Sequence, residues 1–260
     1  MAHYFVTGVS SGIGRALVTE LCREQKDVSG VARRAERLED LKTKNQSFYG
    51  MVCDVTEVSS LADCVSSAEK KLGNIDIAIL NAGIYVPQDG KDIDPSVYAK
   101  HMDINYMGVI NALAPIIPSM IKRGTGHIAI MASAAGWRGL PKAAAYGPTK
   151  AALISLSESL YFDLKKTGVK LQVICPGFVD TEATSINNFY MPGLMTADAA
   201  AQEIVAALKT DIFMPHFPKS FTANLALLSK IPHKLFFKII GKKAKVNLKK
   251  NNSLFQFHLT

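Results

Sequence analysis

The segment SAAGWRGLPKAAAYGPTK, residues 133–150, brings together three side chains that can act on a proton and an oxygen. Tyr146 and Lys150 are four positions apart, so a helix would place them on one face. A phenol with a pKa near about 10 is a poor acid or base at neutral pH, and a neighbouring ammonium lowers that pKa by stabilising the phenolate. Ser133 adds a hydroxyl that can bind a carbonyl or alcohol oxygen. The set therefore predicts general acid–base chemistry at an oxygen-bearing carbon.

The elements that must position these side chains are short apolar strands alternating with helices. HYFVTG, IDIAILNAG and GHIAIMAS are strand-like segments without polar alternation, which is typical of strands buried on both faces. Strict strand–helix alternation predicts an α/β fold: a single Rossmann domain over residues 1–215, with a doubly wound parallel sheet of about seven strands and helices on both faces. Two long helices are expected, at 95–122 and 146–167.

A glycine-rich turn, TGVSSGIG at residues 7–14, lies between the first strand and the first helix. Glycines let the backbone approach a phosphate closely, and the helix N-terminus supplies N–H donors. The spacing G-x-x-x-G-x-G differs from the usual G-x-G-x-x-G, and many such turns only close a tight corner. Its place at the carboxyl end of the first strand favours nucleotide binding.

The second strand ends in VARR, where NAD-preferring sites carry an acidic residue for the ribose 2′-hydroxyl. Arg33 and Arg34 would suit the 2′-phosphate of NADP instead, although two solvated arginines at a helix start are the alternative. Asp54, after the third strand, could accept a hydrogen bond from the adenine amine or cap the next helix. These residues predict NADP(H) in preference to NAD(H).

Taken jointly, several motifs resemble the short-chain dehydrogenase/reductase family in order and spacing across residues 4–208. They are TGVSSGIG at 7–14, NAG at 81–83, Asn105, Ser133, YGPTK at 146–150 and PGFVDT at 176–181. The resemblance implies that Tyr146 is the acid/base, that Ser133 binds the reacting oxygen, and that Lys150 tunes the tyrosine pKa and binds the nicotinamide ribose. It also implies that Asn105 completes a proton relay through water; read without it, Asn105 is a mid-helix amide with no assigned task.

The cofactor contacts expected from the turn, the strand ends and the resemblance form one set. They are Gly8, Ser10, Ser11, Gly12, Ile13, Gly14, Arg33, Arg34, Asp54, Val55, Asn81, Ala82, Gly83, Tyr146, Lys150, Pro176, Gly177, Val179 and Thr181. The PGFVDT segment has a plainer interpretation, a Pro-Gly turn with a helix cap. Two departures from the family pattern, Leu80 before Asn81 and Pro148 inside the tyrosine–lysine box, remove no reacting group.

Residues 182–200 occupy the place where this family carries its substrate loop. Phe189 and Tyr190 there suggest an apolar pocket or lid, with a buried core patch as the competing interpretation. Together with Ser133 and Tyr146 they are the expected substrate contacts. The resulting hypothesis is an NADP(H)-dependent enzyme that interconverts a hydrophobic ketone or aldehyde and its alcohol. Alternatives are a non-catalytic nucleotide-binding or membrane-scaffold protein, and the same chemistry on small polar carbonyls.

The net charge of +8 is concentrated at the C-terminus. Residues 209–260 hold 10 of the 30 Lys and Arg residues but 1 of the 22 acidic ones, which argues against a nucleic-acid-binding face. Residues 216–260 are therefore expected to form an amphipathic basic extension, suited to peripheral membrane contact or to packing over the pocket or a subunit. The segment NNSLFQFHLT at the end suggests no role.

The remaining expectations concern assembly, location and metals. The family resemblance implies a homodimer or homotetramer built on the two long helices. Four scattered cysteines without metal-ligand spacing predict free thiols in a reducing compartment, and no signal peptide or apolar run of about 18–20 residues is apparent. We therefore expect a cytoplasmic protein that binds no metal.

Overall fold

The computed structural model describes residues 1–242, so positions 243–260 of the predicted extension, with its final segment, lie outside the described residues. The strands are β1 His3–Thr7, β2 Asp27–Ala32, β3 Phe48–Val52, β4 Ile77–Leu80, β5 Gly126–Met131, β6 Val169–Pro176, β7 Val179–Asp180, β8 Met195–Thr196 and β9 His216–Phe217. The helices are α1 Gly12–Arg23, α2 Ala35–Lys44, α3 Val58–Leu72, α4 Pro95–Met102, α5 Gly108–Arg123, α6 Tyr146–Leu164, α7 Ala197–Leu208 and α8 Lys219–Ser229. Residues 233–242 are also helical and are called α9.

Seven strands form one parallel sheet in the order β3-β2-β1-β4-β5-β6-β9. The chain builds outward from β1 to β3 and then crosses to the other side of β1 to begin β4. In such sheets ligands bind beyond the carboxyl ends of the strands where the order reverses, which here is between β1 and β4. The predicted doubly wound Rossmann fold is confirmed.

The sheet is buried on both faces, as the lack of polar alternation predicted. Successive residues of β1 enter different clusters: Phe5 packs with Leu61 of α3 and Ile116 of α5, whereas Val6 packs with Leu17 of α1. All five side chains have 2% or less of their surface exposed, so core packing on each side fixes the two positions of β1.

The last strand of the sheet lies beyond the predicted domain boundary at residue 215. β9 pairs with the end of β6, with His216 opposite Cys175 and Phe217 opposite Pro176. A two-residue strand gives almost no periodic signal, so the sequence placed this segment in the extension. The start of that extension is therefore part of the Rossmann sheet.

The predicted helix at 95–122 contains a π-helical turn at Asp103–Met107, between α4 and α5. By length and a mean hydropathy of 1.4, the stretch Pro95–Arg123 resembles a membrane span. Its apolar composition has a local explanation, because Val109, Ala112 and Met120 of α5 are buried in the core against the sheet. We interpret it as a core helix.

Candidate active site

A cavity of about 1690 Å³ opens at the carboxyl ends of the parallel strands. Its wall runs from the glycine turn after β1, past the ends of β4, β5 and β6, to α8 and α9. The predicted site residues that line it are Gly8, Ser10, Ser11, Gly12, Ile13, Arg33, Arg34, Asp54, Val55, Asn81, Ala82, Gly83, Ser133, Tyr146, Lys150, Pro176, Gly177, Val179, Thr181, Phe189 and Tyr190. Gly14 and Asn105 do not line the cavity, and each lies directly behind its wall.

Ser133, Tyr146 and Lys150 meet at the middle of this cavity. Ser133 lies two residues after β5 ends at Met131, and its Oγ accepts a hydrogen bond from Ala135 N at 3.1 Å at the start of a short 3₁₀ turn. Tyr146 is the first residue of α6, and Lys150 follows one turn later. The buried Lys150 Nζ donates to the carbonyl oxygen of Met131 at 2.8 Å and lies 5.5 Å from the centre of the Tyr146 ring.

The pKa values of this pair differ from the prediction. Desolvation raises the pKa of Tyr146 to about 12, and the neighbouring Ser133 hydroxyl offsets only part of that rise. Desolvation also lowers the pKa of Lys150 to about 8. The predicted lowering of the phenol pKa by the lysine is therefore wrong for this arrangement, because the ammonium stands over the ring and bonds a backbone carbonyl. At neutral pH Tyr146 is protonated and able to donate its proton.

Asn105 lies in the π-helical turn and is fully buried. Its Oδ1 accepts a hydrogen bond from Ile84 N at 2.7 Å, and its Nδ2 donates to Ile84 O at 3.0 Å and to Thr149 Oγ1 at 3.1 Å. A Cβ on Gly83 would lie 3.2 Å from Asn105 Oδ1 and 3.7 Å from Lys150 Nζ, so the amide and the ammonium flank the same glycine. Apolar periodicity could not reveal the π turn, which often marks a functional site.

The glycine turn forms a cradle that side chains would fill. Gly8 and Gly12 have φ values of +76° and +53°, the left-handed region that favours glycine. A Cβ on Gly8 would stand 2.8 Å from Ala82 Cα, and one on Gly14 would stand 2.2 Å from the Gly8 carbonyl oxygen. The absence of a side chain at Gly14 thus lets the first turn of α1 approach the Gly8 carbonyl closely. Gly8 and Gly12 form the cavity surface beside the N-terminus of α1.

The NAG segment ties the end of β4 to the end of β1. The backbone N–H groups of Asn81 and Ala82 both donate to Thr7 Oγ1, at 2.9 and 3.0 Å, and Asn81 Nδ2 donates to Thr7 O at 3.1 Å. Leu80 is 1% exposed and belongs to the core. The departure from the family pattern at this position is therefore accommodated by burial.

Arg34 and Asp54 stand at the ends of β2 and β3. Arg34 donates to Ser10 Oγ and Ser11 Oγ, with the shortest contact 2.8 Å. Asp54 Oδ1 accepts a hydrogen bond from Thr56 N at 3.0 Å, which closes a local turn before α3. Asp54 does not cap α3, because the N-cap residue of that helix is Glu57. Burial would raise the pKa of Asp54, but the Thr56 hydrogen bonds and the Arg33 charge outweigh it and lower the pKa.

The PGFVDT segment is followed by a loop and not by a helix. Val179 and Asp180 form β7, which pairs with β8 at Met195 and Thr196 and so closes the base of the loop between them. Phe189 packs on Phe178 with ring centres 6.0 Å apart, while Tyr190 is 63% exposed. Both residues line the cavity, so this loop contributes part of the cavity wall.

The C-terminal helices α8 and α9 form part of the cavity wall. Phe236 of α9 is 1% exposed, and the Arg138 guanidinium lies 4.4 Å from its ring centre. Arg138 also donates to Ser229 O at 2.9 Å at the end of α8. Sequence reasoning missed Tyr85 and Leu140, because nothing in their local pattern marked them as cavity residues. Four further lining residues lie in the C-terminal extension, for which packing over the pocket was one of the expectations: Phe221, Leu228, Ile239 and Ile240.

The fold and the site define a nucleotide-binding α/β oxidoreductase, and comparison with known proteins agrees. The family model for short chain dehydrogenase matches residues 2–189. An uncharacterized oxidoreductase of Myxococcus xanthus is 32% identical over 235 residues, covering 89% of this chain and 93% of its own. The chain belongs to the short-chain dehydrogenase/reductase family and is an oxidoreductase.

Solved structures show the same fold. A short-chain dehydrogenase of Burkholderia cenocepacia in complex with NADP superposes with a TM-score of 0.81 at 23% identity, covering 92% of this chain and 97% of its own. The serine dehydrogenase of Escherichia coli gives 0.75 at 24% identity, with 84% and 98% covered.

Proposed function

We propose that this protein is an NADP(H)-dependent enzyme that interconverts a hydrophobic ketone or aldehyde and its alcohol. The observation that carries the proposal is the continuity of one cavity, which joins the glycine cradle to Ser133 and Tyr146 and continues to an apolar wall formed by the substrate loop, α8 and α9. The adjoining sites allow a dinucleotide and a carbonyl compound to meet at the tyrosine.

The residues present fit a nicotinamide dinucleotide. The cradle of Gly8 and Gly12 beside the N-terminus of α1 suits a pyrophosphate. Arg34 beside Ser10 and Ser11 suits a 2′-phosphate, and the NADP bound by the Burkholderia relative supports that choice. When bound, the cofactor would supply or accept the hydride. Lys150, next to Gly83, would bind its ribose as the family resemblance implies.

The chain's own residues would handle the oxygen and the proton. The Ser133 hydroxyl would hydrogen-bond the substrate oxygen, and Tyr146 would donate the proton that turns the reduced oxygen into an alcohol, or remove it in the reverse direction. Lys150 and Asn105, both close to Gly83, would return a proton to the tyrosine through a bound water, as the family resemblance implies.

The substrate side is mostly apolar but its rim is basic. Phe189, Phe221 and Leu228 contribute aromatic and aliphatic surface, while Lys100 and Lys142 also line the cavity. A hydrophobic carbonyl compound matches the wall. Because an ammonium group binds a carboxylate, these two lysines are the reason to include acidic carbonyl compounds in the test below.

NADPH oxidation against a graded panel of carbonyls tests the proposal. The panel runs from short polar ketones to long-chain and polycyclic ones, each apolar member with and without a terminal carboxylate. Turnover rising with apolar size supports the proposed substrate class. Preference for the short polar ketones would favour the alternative enzyme, and tight NADPH binding without turnover throughout would favour the non-catalytic alternative.

We also propose peripheral membrane contact through the outer faces of α8 and α9. Leu227, Leu235 and Phe237 are 68%, 47% and 62% exposed, and Lys234 and Lys238 lie on the same helix as the last two. Exposed apolar residues among lysines suit an anionic lipid surface. Sedimentation with anionic but not with neutral vesicles, lost in Phe237→Ser, would support this; equal binding to both vesicle types, or to neither, would oppose it.

Assembly into a homodimer or homotetramer in the cytoplasm completes the proposal. Ile121 of α5 and Phe162 of α6 are 42% and 77% exposed, which leaves apolar surface on the helices that the family resemblance assigns to the interface. Light scattering of the wild type and of Phe162→Glu would report the assembly directly. A monomeric wild type would contradict it.

A further inference from the structure

Glu182 holds two arginines at the edge of the proposed cofactor site. Its Oε2 accepts a hydrogen bond from Arg34 at 3.0 Å, and its Oε1 contacts the guanidinium of Arg37. Arg34 reaches Ser10 and Ser11 with its remaining donors. One carboxylate is thus bound by two guanidinium groups beside two serine hydroxyls.

This donor set has the chemistry of a phosphate site. Arginine binds phosphate and carboxylate oxygens with the same planar pairs of N–H donors, and a phosphate monoester offers more charge and more acceptor oxygens than a carboxylate. Arg37 was not predicted from the sequence, where it reads as one more charged residue of a solvated helix. In the structure it converges with Arg34 from the first turn of α2.

Glu182 also belongs to the substrate loop. It directly follows Thr181, which lines the cofactor side of the cavity, and the loop continues to Phe189 and Tyr190 on the substrate side. The contact of Glu182 with Arg34 and Arg37 therefore joins α2 and the end of β2 to a segment that is otherwise closed at its base by β7 and β8.

We propose that Glu182 is an internal competitor for the 2′-phosphate, and that its displacement releases the substrate loop when NADP(H) binds. Arg34 and Arg37 exchange the Glu182 carboxylate for the phosphate, so the loop at 182–194 loses its tie to α2. A cofactor without the 2′-phosphate leaves the tie in place. This inference rests on the proposed function and adds a residue that sets cofactor preference and couples it to the loop.

Binding of adenine nucleotides that lack nicotinamide tests the competition without any turnover. The probes are 2′,5′-ADP, which carries the extra phosphate, and 5′-ADP, which does not, measured by calorimetry on wild type and Glu182→Gln. Exposed ion pairs are weak, so we expect the variant to bind 2′,5′-ADP about three- to tenfold more tightly, with 5′-ADP unchanged. Glu39→Gln, on α2 and paired with Lys42, is the matched control and should change neither affinity.

Amide hydrogen exchange of residues 182–194 tests the coupling. In the wild type, saturating 2′,5′-ADP should increase exchange in the loop and 5′-ADP should not; in Glu182→Gln the loop should exchange faster even without ligand. An unchanged or weaker affinity of Glu182→Gln for 2′,5′-ADP overturns the inference, as does a loop whose exchange is insensitive to the 2′-phosphate. Weaker binding of 5′-ADP by the variant would instead make Glu182 a ribose ligand and also overturn it.

The two proposals fail in different ways. A wild type that binds 2′,5′-ADP and 5′-ADP equally contradicts the NADP(H) preference itself and the inference with it. A wild type that prefers 2′,5′-ADP, with a Glu182→Gln variant that gains nothing, contradicts only the role of Glu182.

Discussion

Replacing Phe236 tests whether the C-terminal helices are part of the folded enzyme. Phe236 is 1% exposed and its ring faces the Arg138 guanidinium at 4.4 Å. Truncation of a buried phenylalanine to alanine costs about 3–5 kcal/mol, and loss of the cation–π contact contributes to that cost. The neighbouring Phe237 is 62% exposed, so Phe237→Ala is a matched control that should stay within about 0.5 kcal/mol.

The assay combines thermal unfolding with amide exchange of residues 219–242. For a chain of this size, 1 kcal/mol corresponds to about 2–4 °C in Tm, so Phe236→Ala should lower Tm by at least about 6 °C if the helices unfold with the domain. If they detach first, the loss appears as faster exchange in α8 and α9. A higher KM for apolar carbonyls accompanies either result, because Leu228 and Ile240 line the cavity. Equal, small effects of the two variants on both readouts would refute the packing argument.

Three further changes follow from the same geometry. Lys150→Met should abolish turnover yet raise the free energy of unfolding at pH 7 by about 1–3 kcal/mol, since burial lowers the pKa of Lys150 to about 8. In the wild type the free energy of unfolding should rise with pH between about 8 and the lysine pKa of the unfolded chain, because only the unfolded chain holds the proton in that range. Urea unfolding at pH 7 and 9.5 measures the effect of the mutation and the pH dependence. Gly14→Ala should destabilise the domain and weaken NADPH binding, because its Cβ would lie 2.2 Å from Gly8 O, whereas Gly139→Ala meets nothing within 4 Å and should be neutral in the same melting and binding assays. Arg34→Ala should weaken NADPH binding about tenfold or more, which is the loss typical of a charged hydrogen bond, and should change NADH binding little. An equal loss of affinity for both cofactors would contradict the assignment of Arg34 to the 2′-phosphate.

The sequence was sufficient for the features that depend on local pattern. The strands lack polar alternation because both faces are buried, and that pattern predicted the parallel sheet. The glycine turn and the Ser133, Tyr146 and Lys150 set carry their spacing in the chain, so their convergence at one sheet edge followed from the topology.

Features that depend on tertiary contact were not predictable. β9 is two residues long, and its pairing with β6 is set by register and not by pattern. The π turn around Asn105 interrupts a stretch whose apolar periodicity indicates one helix. The pKa of Tyr146 depends on how deeply α6 is packed and on where the Lys150 ammonium points, and neither can be read from a spacing of four residues.

The pairing of Glu182 with Arg34 and Arg37 joins residues 148 and 145 positions apart. No local sequence pattern connects Glu182 with these arginines, although the position of Arg34 after the second strand predicted a contact with the cofactor. The basic C-terminal segment was open to two interpretations; in its described part, Ile239 and Ile240 line the cavity and Phe236 is buried.

The central claim is tested most directly by single-turnover and steady-state NADPH oxidation by wild type and Tyr146→Phe with the best apolar carbonyl. Tyr85→Phe is the control: its ring centre lies 5.2 Å from that of Tyr146, and its hydroxyl donates a hydrogen bond to Asn187 Oδ1, so the variant removes a neighbouring phenol hydroxyl. We predict that Tyr146→Phe loses about 10²–10⁴-fold in turnover while NADPH affinity stays within about twofold, and that Tyr85→Phe loses less than about tenfold. Turnover retained by Tyr146→Phe would contradict the account.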